Sequence, residues 1–305
     1  MSRPAPNRPL NPRRIGVIAM HTFTQLVRMK VFYFLGVFAV ILLASNLFNI
    51  QSIDRPNLEG VEVLRSIRNF SLGTMTIFSV VLGIVATALL LPKDVEDRTL
   101  YTILAKPVPR LDYLIGKLGG LLLLIFVSLV VMDLLMIGVL SIRTHLVVEA
   151  QAASAMRAGW PADQIAALKL ETAKQGPTWD LQVAVLAVYL RAVVISSTAL
   201  MLSILSASTL FTTVTGFIVY FIGNFQATAR DVYFGAAAGV SAVERMAGLA
   251  VATIFPDLAL FNVVDTIIAG KIVPPGTVPT LCGVTAFYLV LHLFVSWLIF
   301  SKKEF

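Results

Sequence analysis

The sequence predicts an all-α membrane protein: an N-terminal amphipathic interfacial helix followed by six transmembrane helices, with both termini cytoplasmic. Three observations carry this expectation. Of 305 residues, 57% are hydrophobic and 13% charged, with a mean hydropathy of +0.85, whereas soluble domains carry about 25% charged residues. Several apolar runs reach the roughly 20 residues that cross a bilayer as a helix. The runs are continuous rather than alternating, which excludes a β-barrel, and backbone groups in lipid must be satisfied inside the segment.

Residues 1–30 read as a cytoplasmic tail and an amphipathic helix. The start "MSRPAPNRPLNPRR" has no short apolar core with a small-residue cleavage site, so it is not read as a secretory signal. At 100° per residue, Arg14, His21, Gln25 and Arg28 share one stripe, and Ile15, Ala19, Phe23 and Leu26 face the other way. Such a helix lies in the membrane interface with Arg14 and Arg28 as anchors toward anionic headgroups. Residues 31–305 are expected to form a six-helix transmembrane unit, with spans at 31–50, 70–91, 118–141, 182–206, 209–225 and 279–300.

Orientation follows from Lys and Arg. Six lie before the first span (Arg3, Arg8, Arg13, Arg14, Arg28, Lys30) and five in the connection 92–117 (Lys93, Arg98, Lys106, Arg110, Lys117), with Lys302 and Lys303 at the end. The opposite side spreads its cations over three longer connections, 51–69, 142–181 and 226–278, and balances them with acids. The denser side is cytoplasmic by the positive-inside rule. In 142–181, Pro161 suits a helix start and Gly176-Pro177 a stop. In 226–278, "GAAAGVSAVERMAGLAVATIF" approaches spanning length but carries Glu244-Arg245 at its centre. A re-entrant or surface-lying helical pair is expected there, then a helix through "PDLALFNVVDTIIAGKIV".

The connection 92–117 is longer than a simple link requires. Asp94 suits a helix cap, with Asp97 three residues on. Leu100, Ile103 and Leu104 recur at i, i+3, i+4, and Pro107 and Pro109 end the helix. The result is a short amphipathic helix across the cytoplasmic face. Its apolar side needs cover from lipid or a protein, and Glu96, Asp97 and Arg98 offer charged contacts.

The stretch "EDRTLYTILAKPVPRLDYLIGKLGG" resembles the cytoplasmic signature of ABC-2 type transporter permeases. The matching residues are Glu96, Arg98-Thr99-Leu100, Leu104, Pro107-Val108, Arg110, Tyr113-Leu114 and Gly116-Lys117. Residues 255–270 resemble the segment before the last span in the subgroup with gliding-motility and nitrous-oxide-reductase-maturation permeases. The resemblance implies an exporter subunit in a bacterial inner membrane, working as a dimer with a second copy or a similar permease. It implies a coupling helix docked on a separate nucleotide-binding ATPase, which holds the ATP and Mg, so no cofactor is expected in this chain. In that frame Leu100, Ile103 and Leu104 supply the apolar docking face. Glu96, Asp97 and Arg98 supply charged contacts and register, with Thr99 in the same docking set; Pro107 and Arg110 fix the exit angle and anchor at the headgroup level, and Lys117 snorkels to the interface.

The residues agree on what is missing. No G-x-x-x-x-G-K-[ST] occurs: Gly116-Lys117 has Leu111 where the first glycine belongs, and Gly270-Lys271 has Asp265. His21, His145 and His292 show no i, i+4 spacing, Gly239-Val240-Ser241 runs on to Val243, and Cys282 is the single cysteine, so neither a metal site nor a catalytic constellation is expected. Inside the spans, Asp133 and Arg191 fall at similar depths from the outer side, so a structural ion pair is expected between them, or else a polar substrate path. An ion-coupled secondary transporter and a non-transporting assembly factor are the alternative classes. The first is disfavoured by the lack of repeats and of further midplane acids.

Overall fold

The computed structural model describes residues 10–45, 60–96, 109–206, 208–234, 255–268 and 276–302, with isolated positions 243, 246, 273 and 274. Within the described residues the chain is helical and has no strand. The order is α1 (Pro12–Val27), α2 (Lys30–Ser45), α3 (Val61–Glu96), α4 (Arg110–Arg157), α5 (Ala162–Ala173), α6 (Trp179–Leu205), α7 (Thr209–Phe234), a 3-10 turn (Ala259–Phe261), α8 (Val264–Ile268) and α9 (Thr277–Lys302).

Helix α6 is the centre of the bundle. It packs on α3, α4, α7 and α9, and Val193 to Leu200 form an unbroken buried run. Its neighbours are in clear register. Along α4, Asp133 meets Gln182 and Phe126 meets Tyr189, so those two helices run antiparallel. Along α3, Arg68 meets Gln175 just before α6, and Gly83 faces Ser196, so α3 and α6 run the same way. Ser197 meets His292 of α9, and Leu200, Ile204 and Phe300 share a cluster farther along, again parallel. One end of the bundle therefore carries the connection between α3 and α4 and the C-terminus of α9; this is the loop end. The far end carries Gly60 and the α4–α5 hairpin.

Among the described residues four helices are long and apolar enough to cross a membrane: Val61–Leu90 of α3, α4, α6 and α9; the bent pair α1 and α2, meeting at 68°, brings the number to as many as five. The expected six spans thus appear as four to five. The expected span 209–225 falls within α7, whose 26 residues include five threonines, Asn224 and Gln226, and α7 is not among the four.

Two other expectations change. The span expected to end at residue 141 belongs to a helix of 48 residues, roughly 70 Å long at 1.5 Å per residue. Hydropathy marks where lipid ends, whereas a helix ends where its backbone is broken. "SIRTHLVVEAQAASAMR" contains no Gly or Pro, and the turn comes only at Gly159 (φ 77) and Pro161. From there α5 folds back, laying Ile165 on Ala152 and Ala155, while Thr172 donates to Gln151 at 2.6 Å.

The second change is at 256–273. In place of one helix the chain forms the 3-10 turn and the five-residue α8, with Pro256, Asp257, Leu258, Phe261, Val263 and Ile267 buried. The backbone there is satisfied by α7: Leu258 N–H donates to the Gly223 carbonyl at 3.0 Å, and the Gln226 amide donates to the Phe255 carbonyl at 2.8 Å. A Cβ on Gly223 would stand 2.7 Å from Leu258 Cγ, so the close approach requires glycine. Irregular backbone within the bundle is thus covered by protein, as lipid demands. The pair expected around 234–254 lies almost wholly outside the described residues.

Candidate functional site

The docking residues expected from the sequence, Asp97, Arg98, Thr99, Leu100, Ile103, Leu104 and Pro107, lie outside the described residues, as does the side chain of Glu96 at the end of α3. What the structure describes is the frame that holds them: the exit of the connection at Pro109, and everything to which that exit is tied.

Pro109, extended at φ −58 and ψ 136, precedes the first turn of α4. The first two turns of α4 then make three polar ties to other helices. Arg110 donates to the backbone carbonyls of Phe300 and of Ser301, the latter at 2.7 Å, and its guanidinium lies 5.6 Å from the Phe300 ring centroid. A helix ends with carbonyls that have no partner and a partial negative charge, so Arg110 satisfies the C-terminus of α9 both as donor and as charge. Beside it, Tyr113, fully buried, stacks on Phe300 with centroids 6.1 Å apart.

Asp112 makes the second tie. Its Oδ2 receives both Nε and a terminal nitrogen of Arg14, at 3.0 and 2.9 Å, and the carboxylate is fully buried. It also sits in the first turn of α4, where the helix dipole favours an anion. Lys117, 3% exposed, makes the third: its ammonium reaches Gln25 at 3.4 Å and lies 5.7 Å from the Tyr113 ring centroid. Both partners, Arg14 and Gln25, stand on α1.

These ties rest on close backbone contact. Ile15, Ile18, Ala19 and Thr22 of α1 cover Gly116, Gly119 and Gly120 of α4. A Cβ at Gly116 would be 2.7 Å from Ile18, and one at Gly120 would be 2.7 Å from Thr22 Cβ and closer still to the Ala19 carbonyl. Small residues let two helices approach in lipid, where apolar burial alone gives no preference between helices.

The structure therefore redistributes the expected anchors. Arg14 does not serve as a free headgroup anchor, because it is bound to Asp112. Lys117 does not snorkel, because the α1–α4 contact encloses it. Arg110, expected at the headgroup level, donates to the C-terminal carbonyls of α9. Arg28 is exposed at the C-cap of α1. Asp112 was not among the expected site residues. Its partner is 98 positions away, and no local pattern marks a contact of that separation.

Asp133 and Arg191 do not form the expected pair. Asp133 is half-buried and accepts from the Gln182 amide at 3.2 Å. Arg191 lies over the Tyr220 ring, 5.3 Å from its centroid. The depth argument placed the end of the span at 141. Because α4 continues to Arg157, the register slides. Asp133 stands level with the first turn of α6, and Arg191 is nine residues further in, about 13 Å along the axis.

Residues 23–158, from the middle of α1 to the turn after α4, match the family model described as ABC-2 family transporter protein. The match is to the family as a whole and does not separate the subgroup that residues 255–270 resemble. No curated protein matches the chain.

Proposed function

We propose that the chain, whose residues 23–158 match the family model of ABC-2 family transporter proteins, is the multi-pass membrane subunit of an ATP-driven exporter rather than its ATPase. A separate nucleotide-binding subunit docks on residues 96–110 and supplies the stroke. The observation that supports this most is positional. The matched region contains the whole connection between α3 and α4, and the exit of that connection is tied to two other helices. A displacement of the loop is passed by Arg110 to the end of α9 and by Asp112 to Arg14 on α1. Three helices then move with one handle.

In this reading α2, α3, α4, α6, α7 and α9 are six spans in alternating directions, consistent with the antiparallel and parallel registers described above. The loop end faces the cytoplasm of a bacterial cell, and both termini lie on that side. Two permease copies, or this chain and a similar one, form the path, with ATP and Mg held by the motor subunits.

The test is purification from native membranes through a tag on this chain, with ATP hydrolysis measured in the eluate. ATPase activity and a Walker-motif polypeptide are expected with the wild type and lost with Leu100→Asp and Leu104→Asp, while the amount of folded permease is unchanged. Retention of the ATPase by both variants refutes docking through this face.

A further inference from the structure

We infer that Arg191 is the binding point for an anionic group, a phosphate or carboxylate, on the molecule that crosses this permease. The inference deepens the transport reading and rests on it. Arg191 lies near the middle of α6, with twelve residues before it (191 − 179) and fourteen after (205 − 191). It is 8% exposed. Among the described residues its one charge or ring partner is the Tyr220 ring face, and its buried Nε has no hydrogen-bond partner. The acid expected to neutralise it, Asp133, is engaged by Gln182 about 13 Å toward the far end.

Chemistry narrows what such a group can do. A guanidinium is charged at any pH a cell offers, has five N–H donors and cannot accept. An aromatic face attracts its charge but leaves the forked in-plane donors unused. Charges at the centre of a membrane protein are costly and are normally paired, so one kept without a counter-ion is a functional candidate. The group that completes a planar fork of donors is a carboxylate or phosphate, held by two parallel hydrogen bonds.

The site is closed in this conformation. It lies between α6 and α7, joined by residues 206–208 alone, and α7 approaches the bundle through Gly216 against Ile84 and Gly223 against Leu258, on either side of Tyr220. Separation of α6 from α7 during alternating access uncovers the guanidinium, and return to Tyr220 releases the anion.

The test follows thermal unfolding of the full chain in dodecyl maltoside as dodecyl phosphate or inorganic phosphate is added. Dodecyl phosphate is expected to raise the melting temperature of the wild type by about 5 °C at saturation. Lys169→Gln, on the exposed face of α5, should respond equally. Arg191→Met should not respond, and without the anion should unfold no lower than the wild type, because it removes an uncompensated charge. Arg191→Lys should keep a reduced rise. A response to both probes identifies a free anion as the recognised group; a response to dodecyl phosphate alone identifies an amphiphile.

The proposal is overturned if the wild type shows no rise, or if Arg191→Met rises as the wild type does. It is also overturned if Arg191→Met melts lower and Arg191→Lys does not respond, since the guanidinium then serves only to pack on Tyr220. No ATPase takes part, so failure here leaves the docking reading intact. Loss of that reading would in turn leave a positive anion response standing.

Discussion

At the loop end, the Arg14 guanidinium places two nitrogens on one oxygen of a fully buried carboxylate. At mid-bundle, the Arg191 guanidinium places none on any acceptor and lies on a ring. Both side chains belong to the same residue type and both lie among helices of the same bundle, yet their surroundings assign them different work. A cation gripped by an anion resists movement, because separating them strands a buried charge. A cation left on an aromatic face is restrained weakly and can exchange its partner. In the proposed function the loop end transmits displacement without slipping, and in the inference above the middle of α6 is open to an arriving anion.

The largest expected effect comes from breaking the tight region. Arg14→Gln removes the ion-pair partner of the buried Asp112 carboxylate, and should lower unfolding stability in mixed micelles by about 3 kcal/mol. Asp112→Asn should cost less, because Arg14 is 28% exposed on its side chain and can turn to water. The double variant should show a coupling energy of about 2 kcal/mol, the sign of a direct pair. Purely additive losses would mean that the two residues stabilise separately, and the loop end would then hold no tighter than mid-bundle.

A smaller effect tests whether contact or charge makes that region rigid. Gly120→Ala sets a methyl against the Ala19 carbonyl and Thr22, and should cost about 2 kcal/mol while pushing α1 off α4. The adjacent Gly119→Ala meets Ala19 Cβ at an ordinary 3.8 Å. It should be neutral or stabilise by up to about 0.5 kcal/mol through helix propensity. The same methyl, one position apart, thus reports which face of α4 carries α1. Equal effects would remove the argument from close approach.

How much of this was legible in sequence depends on the range of the interaction. The apolar runs placed α3, α4, α6 and α9, because lipid imposes a length on each helix independently of its neighbours. The helix at 162–173 was readable from Pro161 and Gly176-Pro177, which act locally. The length of α4 does not follow from its apolar run, which ends near residue 141, because the helix is broken only at Gly159 and Pro161. The 3-10 turn at Ala259–Phe261 was read as helix because its backbone depends on Gly223, more than thirty residues away. For the loop end, "EDRTLYTILAKPVPRLDYLIGK" contains Arg110 and Lys117, whose partners are described, while its docking residues lie outside the described residues. That Arg110 reaches Phe300, or that Asp112 reaches Arg14, is a matter of tertiary register that no local spacing encodes.

The smallest expected effect is the counterpart of the first experiment. Asp133 and Arg191 were candidates for an ion pair on the assumption that the span ends near residue 141. With α4 running to Arg157, the two charges are offset by about 13 Å along the helices. Asp133→Asn keeps the shape and still lets Gln182 donate, so it should cost under about 0.5 kcal/mol. Combined with Arg191→Met, its effect should add to within about 0.5 kcal/mol, as for sites without shared partners. A coupling above about 1 kcal/mol would bring the charges together and make Arg191 a structural cation like Arg14. Near-zero coupling beside the strong Arg14–Asp112 term leaves Arg191 as the charge that the bundle itself does not neutralise.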